Sequence, residues 1–350
     1  MSGGKRAPGL TETVLLATVA RRFYLQGRSK LEIAAEFGVS RFKVARMLDT
    51  ARSSNLVRVE FDLPVPVDVE LSDELRRAYD LDRALVLEHA AGRDPDEVVR
   101  GRVGTLAARL LEEIVVRDDV IGLSWDSSVH AMTGEIRALP RCSIVRLCGV
   151  PDALAGTHDR SAEVLNRLTT GSGGRMYPVS SPLVLPDHRT ALMQRRRRGT
   201  AQAFGWYRFL TKAVVGIGAW RPGESAVYDT LGEAGRAAIS ARGATAEVVG
   251  RLFGAEGDGL STGLGHHVLA ISHEELMAVP EVIAIGYGES RAAAVDAVLR
   301  SGLVSTSVID AACAGSLLAL VAGKPLARMG PPARQARQAE SVVRQGAGLR

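Results

Sequence analysis

The chain has 350 residues, which is enough for two domains with substantial cores. Hydrophobic residues make up 46% and charged residues 24%, as is typical of a soluble globular protein, and no apolar run reaches the length that would cross a membrane. The net charge of +5 is uneven. The first 60 residues carry eleven Lys or Arg against five Asp or Glu, the last 30 carry six against one, and the segment between them is net acidic. A basic head on an acidic body predicts a phosphate-binding module attached to a domain with another task.

The three cysteines, Cys142, Cys148 and Cys313, have neither CxxC pairing nor metal-ligand spacing. We expect reduced core residues of a cytoplasmic protein, with no metal and no cofactor. The N-terminal MSGGKRAPG lacks the apolar segment of a signal peptide, which agrees with a cytoplasmic location and no membrane partner.

The first predicted element is a helix over Thr11–Gln26, where apolar residues follow the helical period and Gly27 ends it. Two short helices joined by a tight turn follow within SKLEIAAEFGVSRFKVARMLDTA. Ser29 and Glu32 have the spacing of a capping box, and Gly38 stands where the chain must turn with positive φ. Ser40 then caps the second short helix. These patterns predict a helix-turn-helix.

The second short helix is expected to bury Val44, Met47 and Leu48, which leaves a mostly cationic face outward. A polar, basic N-terminal face is what a helix needs to read base edges in the major groove of DNA. An ordinary helical hairpin with solvated charges is the alternative. The candidate DNA-binding residues are Arg28, Lys30, Ser40, Arg41, Phe42, Lys43 and Arg46, with Arg21 and Arg22 as further phosphate contacts.

The alternating segment VRVEFDLP predicts a strand over 57–63 that could serve as a wing beside the recognition helix. Pro64 and Pro66 then interrupt the chain, so the domain boundary is placed at 62–68. The predicted domains are a helix-turn-helix domain at 11–63, a ligand-binding and oligomerisation domain at 68–320, and a flexible basic tail at 321–350.

Short apolar strands alternate with helices through the body, which predicts an α/β fold with a doubly wound parallel sheet. The predicted strands are Ala84–Leu87, Val120–Ser124, Cys142–Leu147, Arg175–Tyr177, Ala213–Ile217, Glu281–Ile285 and Thr306–Ile309. The predicted helices are 69–79, Asp94–Val116, Val129–Ala138, Asp159–Leu168, Thr190–Arg197, Gly232–Ala241, Arg291–Arg300 and Ala311–Leu320. The helix Asp94–Val116 is expected to bury Val98, Val103, Leu106, Leu110, Leu111 and Ile114. The arginine run Arg195–Arg198 is expected to be a solvated helix face.

Ligands of open parallel sheets bind at the carboxyl ends of strands, and two such ends are conspicuous. In IGLSWDSSVHAM, the hydroxyls of Ser124, Ser127 and Ser128 precede a helix whose free N–H groups suit a phosphate. Helix capping by Ser127 or Ser128 is the simpler interpretation. In VIAIGYGESRAAAVDAV, Gly286 and Gly288 permit a tight turn. Arg291 then opens a helix, where a cation is unfavourable unless it meets an anion.

Several ordered motifs together resemble the SorC/DeoR-type sugar-binding transcriptional regulators, over roughly residues 15–320. They are GRSKLEIAAEFGVSRFKVARMLDTARSSNLVRVEF, IGLSWDSSV, AVVGIGAW, GATAEVVGRLF and VPEVIAIGYGESRAAAVDAVLRSGL, followed by Asp310 after a strand. The resemblance implies a body with the fold of ribose-5-phosphate isomerase and glucosamine-6-phosphate deaminase, and a function as a regulator rather than an enzyme. It also implies a homo-oligomer, dimer or tetramer, that binds double-stranded operator DNA and a sugar phosphate or polyol effector.

By the same resemblance, Ser127 and Ser128 hold phosphate, Glu247 faces sugar hydroxyls, and Arg291 stands where the family usually has lysine. The implied ligand-binding set is Ser124, Asp126, Ser127, Ser128, Glu247, Gly288, Arg291 and Asp310. Asp126 and Tyr287 replace family glycines, and a carboxylate beside a phosphate would repel it. Whether the effector is phosphorylated therefore stays open.

Two other functions remain as alternatives at this stage. One is a sugar-phosphate isomerase or deaminase with Asp126, Glu247 or Asp310 as general base. The other is a DNA-binding protein whose body only oligomerises.

Overall fold

The computed structural model describes residues 9–57, 65–88, 94–151, 163, 166, 169–170 and 173–323. The chain divides into two compact units, Met1–Pro64 and Val65–Arg350. The wing predicted over 57–63, the tail over 321–350 and the helix Asp159–Leu168 lie almost entirely outside the described residues. Among the described residues, no helix is both long and apolar enough to span a membrane.

Within residues 9–57, the described part of the first unit, there are three helices: α1 (Leu10–Tyr24), α2 (Lys30–Glu36) and α3 (Arg41–Ser53). They enclose a small apolar core formed by Leu16, Val19, Ala20, Ile33, Ala34, Val44, Leu48 and Ala51. The spacing of these residues places one face of each helix against the other two, as the 3.6-residue period requires.

Side-chain caps fix both short helices of this unit. Ser29 and Glu32 form the expected capping box at the start of α2. The Ser40 hydroxyl accepts a hydrogen bond from the Lys43 N–H at 3.2 Å, which caps α3. Gly38 lies between the two helices with φ +62°, a conformation that glycine adopts without steric penalty.

The second unit is built on a seven-stranded sheet in which every neighbouring pair is parallel. Its strands are β1 (Arg83–Leu87), β2 (Val120–Leu123), β3 (Ser143–Arg146), β4 (Met176–Tyr177), β5 (Lys212–Gly216), β9 (Glu281–Ile285) and β10 (Thr306–Asp310). They lie in the order β1-β10-β9-β5-β2-β3-β4. A separate antiparallel sheet, which sequence patterns did not predict, contains β6 (Gly218–Ala219), β7 (Ala244–Val248) and β8 (Arg251–Gly254).

In the described part of this unit, the helices with defined bounds are α4 (Val69–Ala78), α5 (Asp96–Ile114), α6 (Ser127–Glu135), α7 (His188–Arg196), α8 (Arg198–Trp206), α9 (Ala226–Thr230), α10 (Glu233–Ser240), α11 (His273–Met277), α12 (Ala292–Arg300) and α13 (Ala311–Gly323). Alternate strand residues point to two different cores. Ile121 and Val214 pack with α5 and α6, whereas Val120 and Val215 pack in the core that contains α4, α12 and α13. Helices on both faces explain why the strands are apolar without alternation.

Three details differ from the sequence-based expectation. Val98 is 42% exposed, and its neighbour Val99 is buried instead. At its N-terminal end, α5 therefore turns Val99 rather than Val98 towards the core. The arginine run is split at Arg197, whose extended ψ of 137° separates α7 from α8. Arg291 lies in a short 3-10 turn before α12 rather than in the helix itself.

Candidate functional site

A cavity of about 360 Å³ opens at the carboxyl end of the parallel sheet, beside the segments that follow β2 and β5. From β2 the sheet continues through β3 and β4 on one side, and from β5 it continues through β9 and β10 on the other. Such a reversal of strand order leaves a crevice in which open α/β sheets bind ligands. The volume lies in the range of small-molecule sites.

Asp126 is the N-cap of α6, and both of its carboxylate oxygens accept hydrogen bonds. Oδ1 accepts from the backbone N–H groups of Ser128 at 2.9 Å and Val129 at 3.0 Å. Oδ2 accepts from the Gly216 N–H at 3.1 Å and, in a short contact, from the Ser124 hydroxyl. Because a carboxylate offers about four lone-pair sites, these donors saturate it. The cap is therefore Asp126, not Ser127 or Ser128 as expected, and α6 begins two residues earlier than predicted.

The absence of a side chain at Gly216 makes this arrangement possible. A Cβ at this position would lie 2.2 Å from Oδ1 of Asp126 and 2.4 Å from its Cγ. Gly216 ends β5 and pairs with Ile285 of β9, so its backbone is fixed by the sheet. Glycine at 216 and aspartate at 126 thus form a matched pair across the crevice.

Glu247 forms a second buried anchor at the cavity wall. Its Oε2 accepts from the Val227 N–H at 3.1 Å and from the Ser225 hydroxyl, and its Oε1 accepts from the Gly250 N–H at 3.1 Å. Burial raises the pKa of Glu247, and these hydrogen bonds to the ionised form oppose that shift. Val249 and Gly250 form the turn between β7 and β8 with φ of +52° and +74°. Glu247 therefore holds the β7–β8 turn and the start of α9 beside the cavity.

Arg291 lines the cavity and is already matched by acidic groups. Its Nε lies 3.4 Å from Oε2 of Glu224, and its Nη1 lies 3.6 Å from Oδ2 of Asp96. The guanidinium also stands 4.2 Å from the ring centre of Tyr287 and donates to the Tyr287 carbonyl at 3.2 Å. The cation that opposes the helix dipole thus has its counter-ions within the protein.

Trp125 contributes an aromatic wall that sequence patterns did not identify. Its ring stacks on the buried guanidinium of Arg146, at 3.5 Å from the ring centre. Arg146 also donates to the Ser124 carbonyl at 3.4 Å. A cation–π pair withdrawn from water contributes about 2 kcal/mol, so the Trp125 ring is held in a defined position.

The cavity brings together most of the expected ligand-binding residues: Ser124, Asp126, Ser127, Ser128, Glu247 and Arg291. Gly288 and Asp310 do not border it. Asp310 is fully buried, and its carboxylate accepts from the Gly288 N–H at 2.7 Å and the Ala312 N–H at 3.2 Å, which fixes the turn after β9. Residues missed by the sequence analysis also line the cavity: Asp96, Arg100, Cys148, Leu183, Glu224 and Ser225. No local motif could have indicated these, because they come from separate loops and helices.

The first unit presents a distinct basic surface on α3. Arg41, Phe42, Lys43 and Arg46 are all exposed, whereas Val44 between them is buried in the core of the unit. The guanidinium of Arg41 stands 4.9 Å from the ring centre of Phe42, whose side chain is 67% exposed. An exposed aromatic ring beside cations on a capped helix has the character of a nucleic-acid surface.

Three further basic residues of this unit have local partners: Arg28 and Lys30 are exposed, and Arg22 is half-buried. Arg28 pairs with Glu36 at 2.7 Å, and Arg22 pairs with the same carboxylate at 3.0 Å. Lys30 stands 5.8 Å from the ring centre of Phe23. A phosphate contact by Arg28 would therefore compete with Glu36.

The fold and the cavity define a two-part protein: an α/β ligand-binding domain preceded by a three-helix unit with a basic face. A family model described as "Putative sugar-binding domain" matches residues 64–319. The chain is 25% identical to the transcriptional regulator YjhU of Escherichia coli K12, over 85% of this chain and 92% of that protein. It is 23% identical to the sorbitol operon regulator of Klebsiella pneumoniae, over 87% of this chain and 97% of that protein. The crystal structure of that full-length regulator, SorC, superposes with a TM-score of 0.62 at 19% identity, covering 88% of this chain and 99% of that one.

The chain therefore belongs to the sugar-binding domain family, and the resemblance to SorC/DeoR-type regulators is confirmed. The predicted α/β fold is confirmed as well. These relatives are named as transcriptional regulators and not as enzymes, as expected for this chain. The assignments of individual site residues stay predictions.

Proposed function

We propose that the chain is a transcriptional regulator whose three-helix unit binds double-stranded operator DNA, and that a carbohydrate in the cavity changes its affinity for that DNA. One observation carries this proposal. A single chain of this family has both an exposed basic helix, α3, and a cavity at the carboxyl end of the parallel sheet, where the strand order reverses. Such a regulator would act in the cytoplasm, where its operator is.

The proposed DNA contacts follow from the face of α3. Arg41 and Lys43 lie in the first turn, nearest the groove when a recognition helix enters with its N-terminal end. Arginine reads guanine bidentately, and the exposed Phe42 ring suits the methyl group of thymine. Arg46, Arg28 and Lys30 would contact phosphates, which supply affinity but no sequence information.

The response to a carbohydrate requires two states of the protein with different affinities for DNA. A ligand shifts that equilibrium only by its difference in affinity for the two states. We propose that copies of the chain associate through the body as a dimer or tetramer, so that paired three-helix units meet half-sites about one helical turn, or a multiple of it, apart. Light scattering of the purified chain with and without operator DNA measures the number of copies.

The test is fluorescence anisotropy on a DNA fragment from upstream of the protein's own operon, across a salt series. A plot of log affinity against log salt concentration has a negative slope. Replacing a residue that contacts a phosphate should make this slope less steep by about one. Arg46→Ala should show this loss. Arg52→Ala is the matched control, because Arg52 is a cation at the other end of α3 that pairs with Asp49 at 2.7 Å. Equal behaviour of the two variants would contradict the proposed surface.

A thermal-shift screen with free sugars, polyols and sugar phosphates tests the sensing part. A ligand that raises the melting temperature should also change operator affinity in the anisotropy assay. If operator binding is intact but no carbohydrate changes it, the body is an oligomerisation scaffold, and the sensing part of the proposal is wrong.

A further inference from the structure

We infer that the cavity binds an uncharged, unphosphorylated sugar or polyol, because the chain itself supplies the negative charge that a ligand phosphate would bring. This inference rests on the proposed function, since it names the chemistry of the effector at the same site. It follows from three observations: the hydrogen bonds of one carboxylate, the steric match that admits it, and the charge of the cavity wall.

The first observation is that the helix N-terminus facing the cavity is already occupied by an anion. The free N–H groups at the start of a helix form an anion site, and a phosphate there would bind the same donors that Asp126 binds. Ser128 and Val129 donate backbone N–H groups to Asp126 Oδ1, while Gly216 and Ser124 donate to Oδ2. A second anion would have to displace the carboxylate or approach it without these donors.

The second observation is that the site is shaped for the carboxylate. The Asp126 side chain fills the volume that any β-carbon at position 216 would occupy, with contacts of 2.2–2.6 Å to such an atom. Two segments 90 residues apart in the chain, the β2–α6 loop and the end of β5, therefore fit each other through this one group. An aspartate that capped α6 only by chance would not need glycine on the facing strand.

The third observation is that the charged groups of the cavity wall are net acidic. Four carboxylates and two guanidiniums line it: Asp96, Asp126, Glu224, Glu247, Arg100 and Arg291. Arg291 is shared between Glu224 and Asp96, and Arg100 lies 3.8 Å from Glu97. A phosphomonoester carries about −1.5 to −2 charges at pH 7, so this wall opposes it.

Groups that suit an uncharged carbohydrate remain. Ser127 is exposed and lines the cavity, and the aromatic residues Trp125 and Tyr287 also line it. Apolar surface with a few polar groups is the usual composition of a small-molecule site. The C–H faces of a sugar would lie against the aromatic rings, and its hydroxyls would reach Ser127 and the backbone.

The experiment opens the anion site and asks whether phosphate enters. Binding of inorganic phosphate to the full chain is measured by calorimetry for the wild type, Asp126→Gly and Asp126→Ser, at matched ionic strength. Serine retains a capping hydroxyl, so this variant is expected to stay folded even if the glycine variant does not. Each opened variant should bind phosphate at least about tenfold more tightly than the wild type.

Asp187→Ser is the matched control. Asp187 also caps a helix of this unit, accepting from the Thr190 N–H at 2.8 Å, but it is exposed and lies outside the cavity. This variant should gain no phosphate binding. A second series compares ribose, fructose and sorbitol with their phosphomonoesters on the wild-type chain, and any preference should be for the free compound.

The inference is overturned if the wild type binds phosphate or a phosphomonoester more tightly than the free compound, or if the folded opened variants bind phosphate no better than the wild type. Failure of the proposed function looks different: no compound, phosphorylated or free, would change operator affinity, whatever the phosphate series shows. The phosphate arm requires no knowledge of the natural effector.

Discussion

Substitution of Gly216 by alanine tests the most specific packing in the cavity. The added methyl group would collide with the Asp126 carboxylate, because both sides of the contact are fixed, one by the sheet and one by the cap of α6. Overpacking typically costs 1–3 kcal/mol, and a displaced N-cap costs about 1 kcal/mol more. We therefore expect Gly216→Ala to lower the free energy of unfolding of the second unit by about 3 kcal/mol.

A double-mutant cycle separates this contact from any other effect of the methyl group. In an Asp126→Gly background the space is open, so Gly216→Ala should cost less than about 1 kcal/mol, giving a coupling energy of about 2 kcal/mol. Urea unfolding followed by tryptophan fluorescence is the assay, since the three tryptophans, at 125, 206 and 220, all lie in the second unit. Gly134→Ala on α6, where a Cβ meets no atom within 4 Å, is the control. The reasoning is wrong if Gly216→Ala is neutral or costs the same in both backgrounds.

Three other predictions concern stability. Ser40→Ala should destabilise the first unit by about 1 kcal/mol. Amide hydrogens of α3 should then exchange faster, while the tryptophan fluorescence of the second unit stays unchanged. If the exchange rates do not change, the Ser40 cap does not stabilise α3. Val99→Ala should cost about 2 kcal/mol in urea unfolding, whereas Val98→Ala should stay within about 0.5 kcal/mol, and equal costs would contradict the burial pattern. Burial raises the pKa of the Cys142 thiol to about 11 and that of Cys148 to about 12, from an ordinary 9.0. Because the folded state holds these protons more tightly, stability should fall as pH rises from about 9 towards 12. The fall should be shallower after Cys142→Ala and Cys148→Ala, and both thiols should resist iodoacetamide at pH 8 until the chain unfolds.

Local patterns predicted the elements whose determinants are local. The capping box at Ser29, the cap at Ser40 and the positive φ at Gly38 all depend on residues a few positions apart, and the structure has each of them. The apolar parallel strands were predicted for the same reason, and each predicted end lies within one residue of the end in the structure. The antiparallel strands β6, β7 and β8 were missed, because polar Thr245 and Glu247 interrupt β7, so that the segment lacks the continuous apolar run by which the parallel strands were predicted.

The candidate site was harder to predict because its determinants are distant in sequence. The sequence analysis named Asp126 as a repulsive neighbour of a phosphate, whereas in the structure its carboxylate caps α6. That role depends on the N–H of Gly216, which the sheet brings to the carboxylate from 90 residues away. Likewise Asp310 follows a strand as expected, but its carboxylate serves the turn at Gly288 instead of the cavity.

The pairing of β1 with β10 has a consequence for synthesis of the protein. Strand β1, residues 83–87, forms its parallel ladder with residues 306–310, so the sheet cannot close at that edge until more than two hundred further residues have left the ribosome. Contacts between residues so far apart in the chain slow folding, and apolar strands stay unpaired and exposed for longer. The core of the three-helix unit joins residues that lie close together in the chain, and the unit precedes the sheet, so it should fold first, during translation. While the ribosome translates the second half of the message, the three-helix unit would be folded and the second unit would not. During that interval the unpaired strands of the second unit most need protection by chaperones.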